Sequence, residues 1–434
     1  MSAAIGFLIL LGTVAARVTP ARAQAAAPDP TIASLVDSVS PARIASLIQQ
    51  LAAFETRNTL SDTVSQTRGI GAARRWIFRY FQDASPRLQV SYDVFQIPQG
   101  GRITQPVELR NVVAILPGRS PRRVYISGHY DTVARPAQSG SSFDWSAGNL
   151  PAPGANDDGS GTALVMELAS IFARSGVEFE ATLVFIAFAG EEQGLIGATA
   201  HAKAAAEAGT VIEAVLNNDI VGGTVAGNGQ ADNRTVRVFS DGPEDSPNRQ
   251  LARYIRDVAA RYLPAQTIRL VARHDRFGRG GDHTPFNQLG YPGVRFSEAT
   301  ENFSRQHTVD DTPDGVSPDY LARNAQVNAA AAASLALAPA APVVNTARGG
   351  PTLGRGTTGY DATLRWQASP GAVGYRIVWR DTWTNDWQHS RLVGNLTSAA
   401  LPGLSIDDYV FGVAAIGPDG HESLVSAYLI PPRR

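Results

Sequence analysis

MELASIFARSG at 166–176, TLVFIAFAG at 182–190, GATAHAKAAAEAG at 197–209 and AVLNNDIVG at 214–222 follow one another with only short gaps. The first and third place apolar and alanine residues at helical spacing. The second and fourth are short apolar runs closed by glycine, as strands are. A strand that is apolar at nearly every position is buried on both faces, which is the habit of a parallel sheet covered by helices. This interleaving predicts an α/β fold of three layers, with a mixed, largely parallel sheet flanked by helices.

Upstream, Ile32–Leu51 and Gly69–Phe81 (GIGAARRWIFRYF) predict two helices before the first strand. Leu88–Ile97, Val107–Ile115 and Arg123–Ser127 alternate or cluster β-branched residues and predict strands. Downstream, a helix near Tyr320–Leu337 closes this domain, which spans 31–337. The stretch 338–350 (APAAPVVNTARGG) has no apolar period and reads as a linker. Beyond it, ATLRW, GYRIVWR, HSRLVGN, DYVFGVAAI and SLVSAYLI are short strands parted by Gly, Pro, Asn and Asp. That pattern predicts a small all-β sandwich over 351–434. Trp366, Tyr375, Leu401, Leu404 and Tyr409 give it a resemblance to a fibronectin type III domain. It is expected to fold on its own and is a candidate for binding a surface or polymer.

At roughly 100–200 residues per domain, 434 residues suit two or three domains. With 38 Lys and Arg against 39 Asp and Glu, the formal charge is −1, so no global field attracts nucleic acid or anionic lipid. The chain has 0 Cys, which removes disulfides, thiolate ligands and cysteine nucleophiles together, so any metal must be held by His and carboxylate. Ile5–Ala16 (IGFLILLGTVAA) followed by Ala21-Arg22-Ala23 reads as an export signal over 1–23. The run falls short of the roughly 20 apolar residues that span a bilayer. A periplasmic or extracellular protein without a stable membrane anchor is expected.

Five motifs carry the chemistry: Gly128-His129-Tyr130-Asp131, Gly154-Ala155-Asn156-Asp157-Asp158-Gly159, Gly190-Glu191-Glu192-Gln193-Gly194, Asn217-Asn218-Asp219, and His307-Thr308 followed by Asp311. Three of them directly follow predicted strands. Ligand sites in open α/β sheets form beyond the carboxyl ends of the strands, so His129, Glu191, Glu192 and Asp219 are expected to converge there. A His-x-Asp, a pair of acids or a Gly-rich turn is unremarkable alone. Together they supply two histidines and several carboxylates to one sheet edge and predict a metal site.

This set of motifs, in this order, resembles peptidase family M28 over about Ser34–Leu337. The resemblance implies a secreted dizinc aminopeptidase acting on peptides with a free N-terminus. It implies that His129, Asp157 and Asp219 hold one zinc and that Asp157, Glu192 and His307 hold the other, with Asp157 shared. Glu191 would be the general base on a bridging water. Asp131 would accept the second N–H of His129, and Asp311 that of His307. Asp158 reads as a turn acid. Asp282, His283 and Phe286 match a segment beside the substrate pocket, and Gln306 stands where some members carry a tyrosine that assists the oxyanion.

Within the same fold the alternatives are a carboxypeptidase or dipeptidase and a glutaminyl cyclase. Glutaminyl cyclases use one zinc and differ after the paired acids, where this chain reads Glu191-Glu192-Gln193-Gly194-Leu195. Outside the enzymes, a non-catalytic binding protein is expected to have lost ligands. All of them are present here.

Overall fold

The structure, a computed structural model, describes residues 27–135 and 143–429, and the expected export signal lies outside the described residues. The chain opens with helices Pro30–Asp37 (α1), Pro41–Ala52 (α2) and Gly69–Ala84 (α3). Where the periodicity predicts one helix over 32–51, Pro41 divides it. Its ring and missing N–H stop a helix running through, and Ser40 caps the new start by accepting from the Arg43 N–H.

Strands Gln89–Ile97 (β1), Val107–Leu116 (β2) and Ser120–His129 (β3) lead into helix Gly159–Arg174 (α4). Next come Ala181–Phe188 (β4), helix Ile196–Glu207 (α5), Ile212–Asn218 (β5) and Thr235–Phe239 (β6). Pro247–Tyr262 (α6), Thr267–Val271 (β7), Thr284–Gln288 (α7), Gly293–Glu298 (β8) and Pro318–Leu337 (α8) complete this part. The eight strands form one sheet in the order β1-β2-β4-β3-β5-β8-β6-β7. Its centre, β4-β3-β5-β8, is parallel, and antiparallel pairs flank it. This is the mixed, helix-flanked sheet that the interleaved pattern predicts.

The central strand shows why its sequence has no alternation. Every residue of β4 is buried. Leu183, Phe185 and Ala187 pack with the side that holds α1–α4, α6 and α8, whereas Val184, Ile186 and Phe188 pack with the side that holds α5 and α7. The period of two is intact, but both faces are apolar because both are covered. Among the described residues, no helix is long and apolar enough to cross a membrane.

The chain then forms two small antiparallel sheets. Strands Leu353–Gly354 (β9), Ala362–Arg365 (β10), Gly374–Asp381 (β11), His389–Val393 (β12), Ser398–Leu401 (β13), Tyr409–Ile416 (β14) and Ser426–Ala427 (β15) are ordered β13-β10-β9 and β12-β11-β14-β15. Trp366, Tyr375 and Leu401 are buried between them, and Leu404 and Tyr409 pack against that core. Val344, in the stretch read as linker, belongs to the same core.

This unit rests on α6. Tyr254 donates to the Glu422 carbonyl at 3.0 Å, Trp387 Nε1 donates to Gln250 at 3.1 Å, and Arg256 pairs with Asp386 at 3.0 Å. Arg380 pairs with Asp245, and Leu424 joins the main apolar cluster. Ending the chain at Ala340 strips α6 of these partners. We expect a lower thermal midpoint, by roughly 2–4 °C for each kcal/mol lost in a domain of this size. Melting of the shortened protein at the full-length temperature would show that the contacts contribute nothing in solution.

Candidate metal centre

The carboxyl ends of the parallel strands deliver the chemistry-bearing residues. His129 is the last residue of β3, Asp219 follows β5 directly, and Glu191 and Glu192 follow β4 after a two-residue turn. Asp157 and Asp158 stand just before α4, and His307 comes from the loop between β8 and α8. Gly161 is required by close approach, since a Cβ there would lie 2.1 Å from the Asn218 carbonyl oxygen. The first turn of α4 therefore presses directly on the end of β5.

The side chains form two groups able to hold a metal ion, His129 with Glu191 and Asp219, and Asp157 with Glu192 and His307. Asp157 connects them. Its Oδ1 is 3.3 Å from His129 Nε2 and its Oδ2 is 2.9 Å from His307 Nε2. Asp219 Oδ1 is 3.7 Å and Glu191 Oε2 4.0 Å from His129 Nε2, and Glu192 Oε2 is 3.3 Å from His307 Nε2. Glu192 Oε1 and Asp219 Oδ1 are buried without a hydrogen-bond partner. Buried carboxylates that stand beside imidazole nitrogens and each keep an unpartnered oxygen, with no thiolate present, suit a divalent ion that takes oxygen and nitrogen donors.

Burial pushes the Glu191 carboxyl up to about 8; His129 opposes the shift, while Asp219 and Asp131 add to it. Glu192 is raised well above the usual range by burial and by its acidic neighbours Asp157 and Glu191. Asp157 goes the other way. Burial opposes its ionisation, yet the two imidazoles overcome that and hold its carboxyl well below the usual range. Asp219 is likewise held down against burial by Arg295.

A model of peptidase family M28 matches residues 111–332. A "probable zinc metalloprotease" of Pyricularia oryzae is 39% identical over 437 residues, covering 91% of this chain and 84% of its own length. The chain belongs to peptidase family M28. Among solved structures, the LapA aminopeptidase of Legionella pneumophila superposes with a TM-score of 0.55 at 21% identity, covering 70% of this chain and 74% of its own. A glutaminyl cyclase of Porphyromonas gingivalis does so with 0.54 at 17% identity, covering 68% and 97%. These likenesses establish the fold of this M28 peptidase.

Several residues stand elsewhere than the motifs suggest. Asp131 meets the His129 ring as expected, but through its backbone: its carbonyl oxygen is 3.2 Å from Nδ1, while its carboxylate, 3.6 Å from Nδ1, also accepts the backbone N–H groups of Glu191 at 3.1 Å and Glu192 at 3.2 Å. It sets the turn that carries the paired acids. Asp311, expected on His307, accepts from the Asn156 and Asp157 backbone at 3.0 and 2.9 Å, because those N–H groups point at it before α4 begins. Asp158 caps α4, accepting from Gly161 at 2.8 Å, and also takes the His129 N–H at 3.0 Å. Gln306 donates to Asp157 Oδ2 at 3.0 Å.

The segment expected beside the substrate pocket does not line it. Phe286 is buried on the other face of the sheet among Tyr125, Phe188 and His201, where its size fills the gap between α5 and α7. His283 faces the His274 carbonyl at 2.9 Å and stacks on the His274 ring, and burial pushes its imidazole down to about 4. Asp282 is fully buried without a hydrogen bond, and burial together with Glu191 raises its carboxyl well above the usual range.

Sequence reasoning missed two buried arginines. Arg57 donates to the carbonyls of Tyr130, Leu51, Pro153 and Gly154 at 2.6–2.9 Å, tying the end of β3 to the loop that carries Asp157. Arg295 pairs with Asp219 Oδ2 at 2.9 Å and Asp275 at 2.6 Å. A charge inside the fully buried run Gly293–Glu298 was the available signal for Arg295. Replacing it with Met leaves buried Asp219 without its guanidinium partner and Asp275 with Arg276 alone. We expect Arg295→Met to destabilise the metal-free protein by about 3–5 kcal/mol. Denaturant unfolding measures this, and a loss below about 1 kcal/mol overturns the account.

Proposed function

We propose that this M28 peptidase is an exported zinc aminopeptidase that holds two ions per chain and hydrolyses the first peptide bond of peptides with a free amine. The observation that carries the reading is the division of the Asp157 carboxylate between the two histidines. His129, Asp157 and Asp219 would hold one ion, and Asp157, Glu192 and His307 the other. Asp157 completes the first group rather than Glu191, because its oxygen is nearer the His129 nitrogen, 3.3 against 4.0 Å. When bound, the ions supply Lewis acidity toward the scissile carbonyl and the attacking water.

That leaves Glu191 free to move protons. Beside the centre but outside both proposed ligand sets, its carboxylate is placed to take a proton from water and return it to the departing amine. Asp131 holds the Glu191 backbone in place. The names of the relatives support the reading, one a zinc metalloprotease at 39% identity and one an aminopeptidase of the same fold. The strand order of the two small sheets supports reading the C-terminal unit as fibronectin type III-like. Export rests on the apolar run Ile5–Ala16 and the small residues at Ala21 and Ala23.

Glu191→Gln is expected to keep two zinc ions per chain by elemental analysis while kcat falls by about 10²–10⁴. Asp157→Ala is expected to lose metal. Metal loss in the Glu191 variant and retention in the Asp157 variant would reverse the two roles.

A six-residue peptide decides polarity. With its amine free it is expected to be cut at the first bond, acetylation is expected to abolish this, and amidation of the far end is expected to change little. Cleavage that survives acetylation but is lost on amidation makes the enzyme a carboxypeptidase.

A further inference from the structure

The cavity over the metal centre encloses about 310 Å³ and is lined by acids and arginines together. That is at the small end of ligand pockets, which run to roughly 300–1,000 Å³, so it takes one or two residues of a peptide. The charges are layered. Asp157, Glu192 and Asp219 are 5%, 6% and 2% exposed and form the floor, whereas Arg102 and Arg135 are exposed at the rim.

The rim is ordered. The Arg102 guanidinium lies 4.7 Å over the Trp145 ring and donates to the Glu192 carbonyl at 2.8 Å. Trp145 stacks on Phe143 at 5.0 Å, and the Arg135 guanidinium lies 4.7 Å over Phe143. Phe143 meets the His307 ring edge-on at 5.5 Å, and the Arg135 N–H donates to the His307 carbonyl at 2.9 Å. The ladder Arg102–Trp145–Phe143–Arg135 is thus attached to the centre at both ends.

Arg276, in the same lining, is neutralised by Asp275 and Glu301. Among the described residues, Arg102, Arg135 and Arg279 have no such partner. Nor does the centre need them once loaded, since two divalent ions already balance the four carboxylates Asp157, Glu191, Glu192 and Asp219. Guanidinium groups placed over aromatic rings, as those of Arg102 and Arg135 are, keep N–H donors available to a carboxylate, which they match in a two-pronged geometry.

We propose that Arg102, Arg135 and Arg279 bind a carboxylate that the substrate carries within two residues of its amine end. The proposal rests on the aminopeptidase reading of this site and adds the substrate class. The carboxylate has two sources, the free C-terminus of a dipeptide or an Asp or Glu side chain beside the scissile bond.

The zinc-loaded full chain is assayed on alanyl-alanine and its amide, and on two amidated hexapeptides that differ by Asp or Asn at the second position. We expect KM to be at least tenfold lower for the carboxylate member of at least one pair. The dipeptide pair alone identifies the C-terminal source, and the hexapeptide pair alone identifies the side chain. The preference is expected to shrink in Arg135→Gln and Arg279→Gln, to persist partly in the Lys variants, and to weaken with salt. Calorimetric titration of Glu191→Gln with the same pairs reads the preference without turnover.

Equal KM within both pairs, on an enzyme that cuts free-amine peptides, overturns the proposal and leaves the aminopeptidase reading standing. So does a preference unchanged in both Gln variants. Failure to cut any free-amine peptide, with acetylated ones cut, instead overturns the aminopeptidase reading.

Discussion

Four carboxylates brought together at the ends of buried strands repel one another, and no arrangement of apolar side chains relieves that. Unit charges about 4 Å apart interact by roughly 4 kcal/mol at the effective dielectric of a protein site, so positive charge has to be supplied locally. The scaffold supplies part of it. Arg295 lies beneath Asp219, and the two imidazoles face Asp157. Glu191 and Glu192 are left without a cation and shift strongly toward the protonated form. An ion at each group removes that imbalance, which makes metal binding and the integrity of the centre one event.

The surrounding polar contacts follow from this constraint. The backbones of Asp157, Glu191 and Glu192 are held by acids further out, and that of Asp219 by Arg295 and the Phe296 carbonyl. Asp311 grips the Asn156 and Asp157 N–H groups, and Asp131 grips those of Glu191 and Glu192. Behind Asp219, Asn218 and Asn328 exchange hydrogen bonds at 2.9–3.0 Å, and Ser127 donates to Asn217 at 2.9 Å. The backbone is strained where it must turn a side chain inward. Ile220, next to Asp219, and His307 have φ of 59° and 57°, in the left-handed region that branched and bulky residues avoid.

This division explains what the chain discloses before folding. The sheet was legible because β4 must be apolar on both faces; His129, Glu191, Glu192 and Asp219 were legible because they sit at strand ends, and Asp157 and His307 because of the motifs that carry them. The outer contacts were not. Asp131 does meet the His129 ring, through its backbone carbonyl, but its carboxylate, like that of Asp311, accepts from the backbone N–H groups folding brings near, and backbone donors leave no trace in residue type. Phe286 was misplaced for a related reason: its motif neighbours fix its position in the chain, while the face of the sheet that it joins depends on packing against Tyr125 and Phe188. Arg57 binds four carbonyls contributed by three separate stretches, a role that only tertiary structure creates.

The same electrostatics order the cavity from floor to mouth. A peptide carries its positive amine at one end and its negative carboxylate at the other, and in a dipeptide the two are separated by only two residues. With ions balancing the floor carboxylates, the uncompensated charge would be the guanidinium rim, which would favour a short zwitterion that presents its carboxylate to the mouth and disfavour the reverse orientation. The aromatic rings add to this, because Arg102 and Arg135, with guanidinium groups 4.7 Å over Trp145 and Phe143, would lose less freedom on engaging an anion than free side chains do. A long peptide with a neutral second residue would bring no carboxylate to that rim, and the arginines it passes would keep their water. In the proposed reading, the metal centre would set where the bond breaks and the rim would set which molecules present it there.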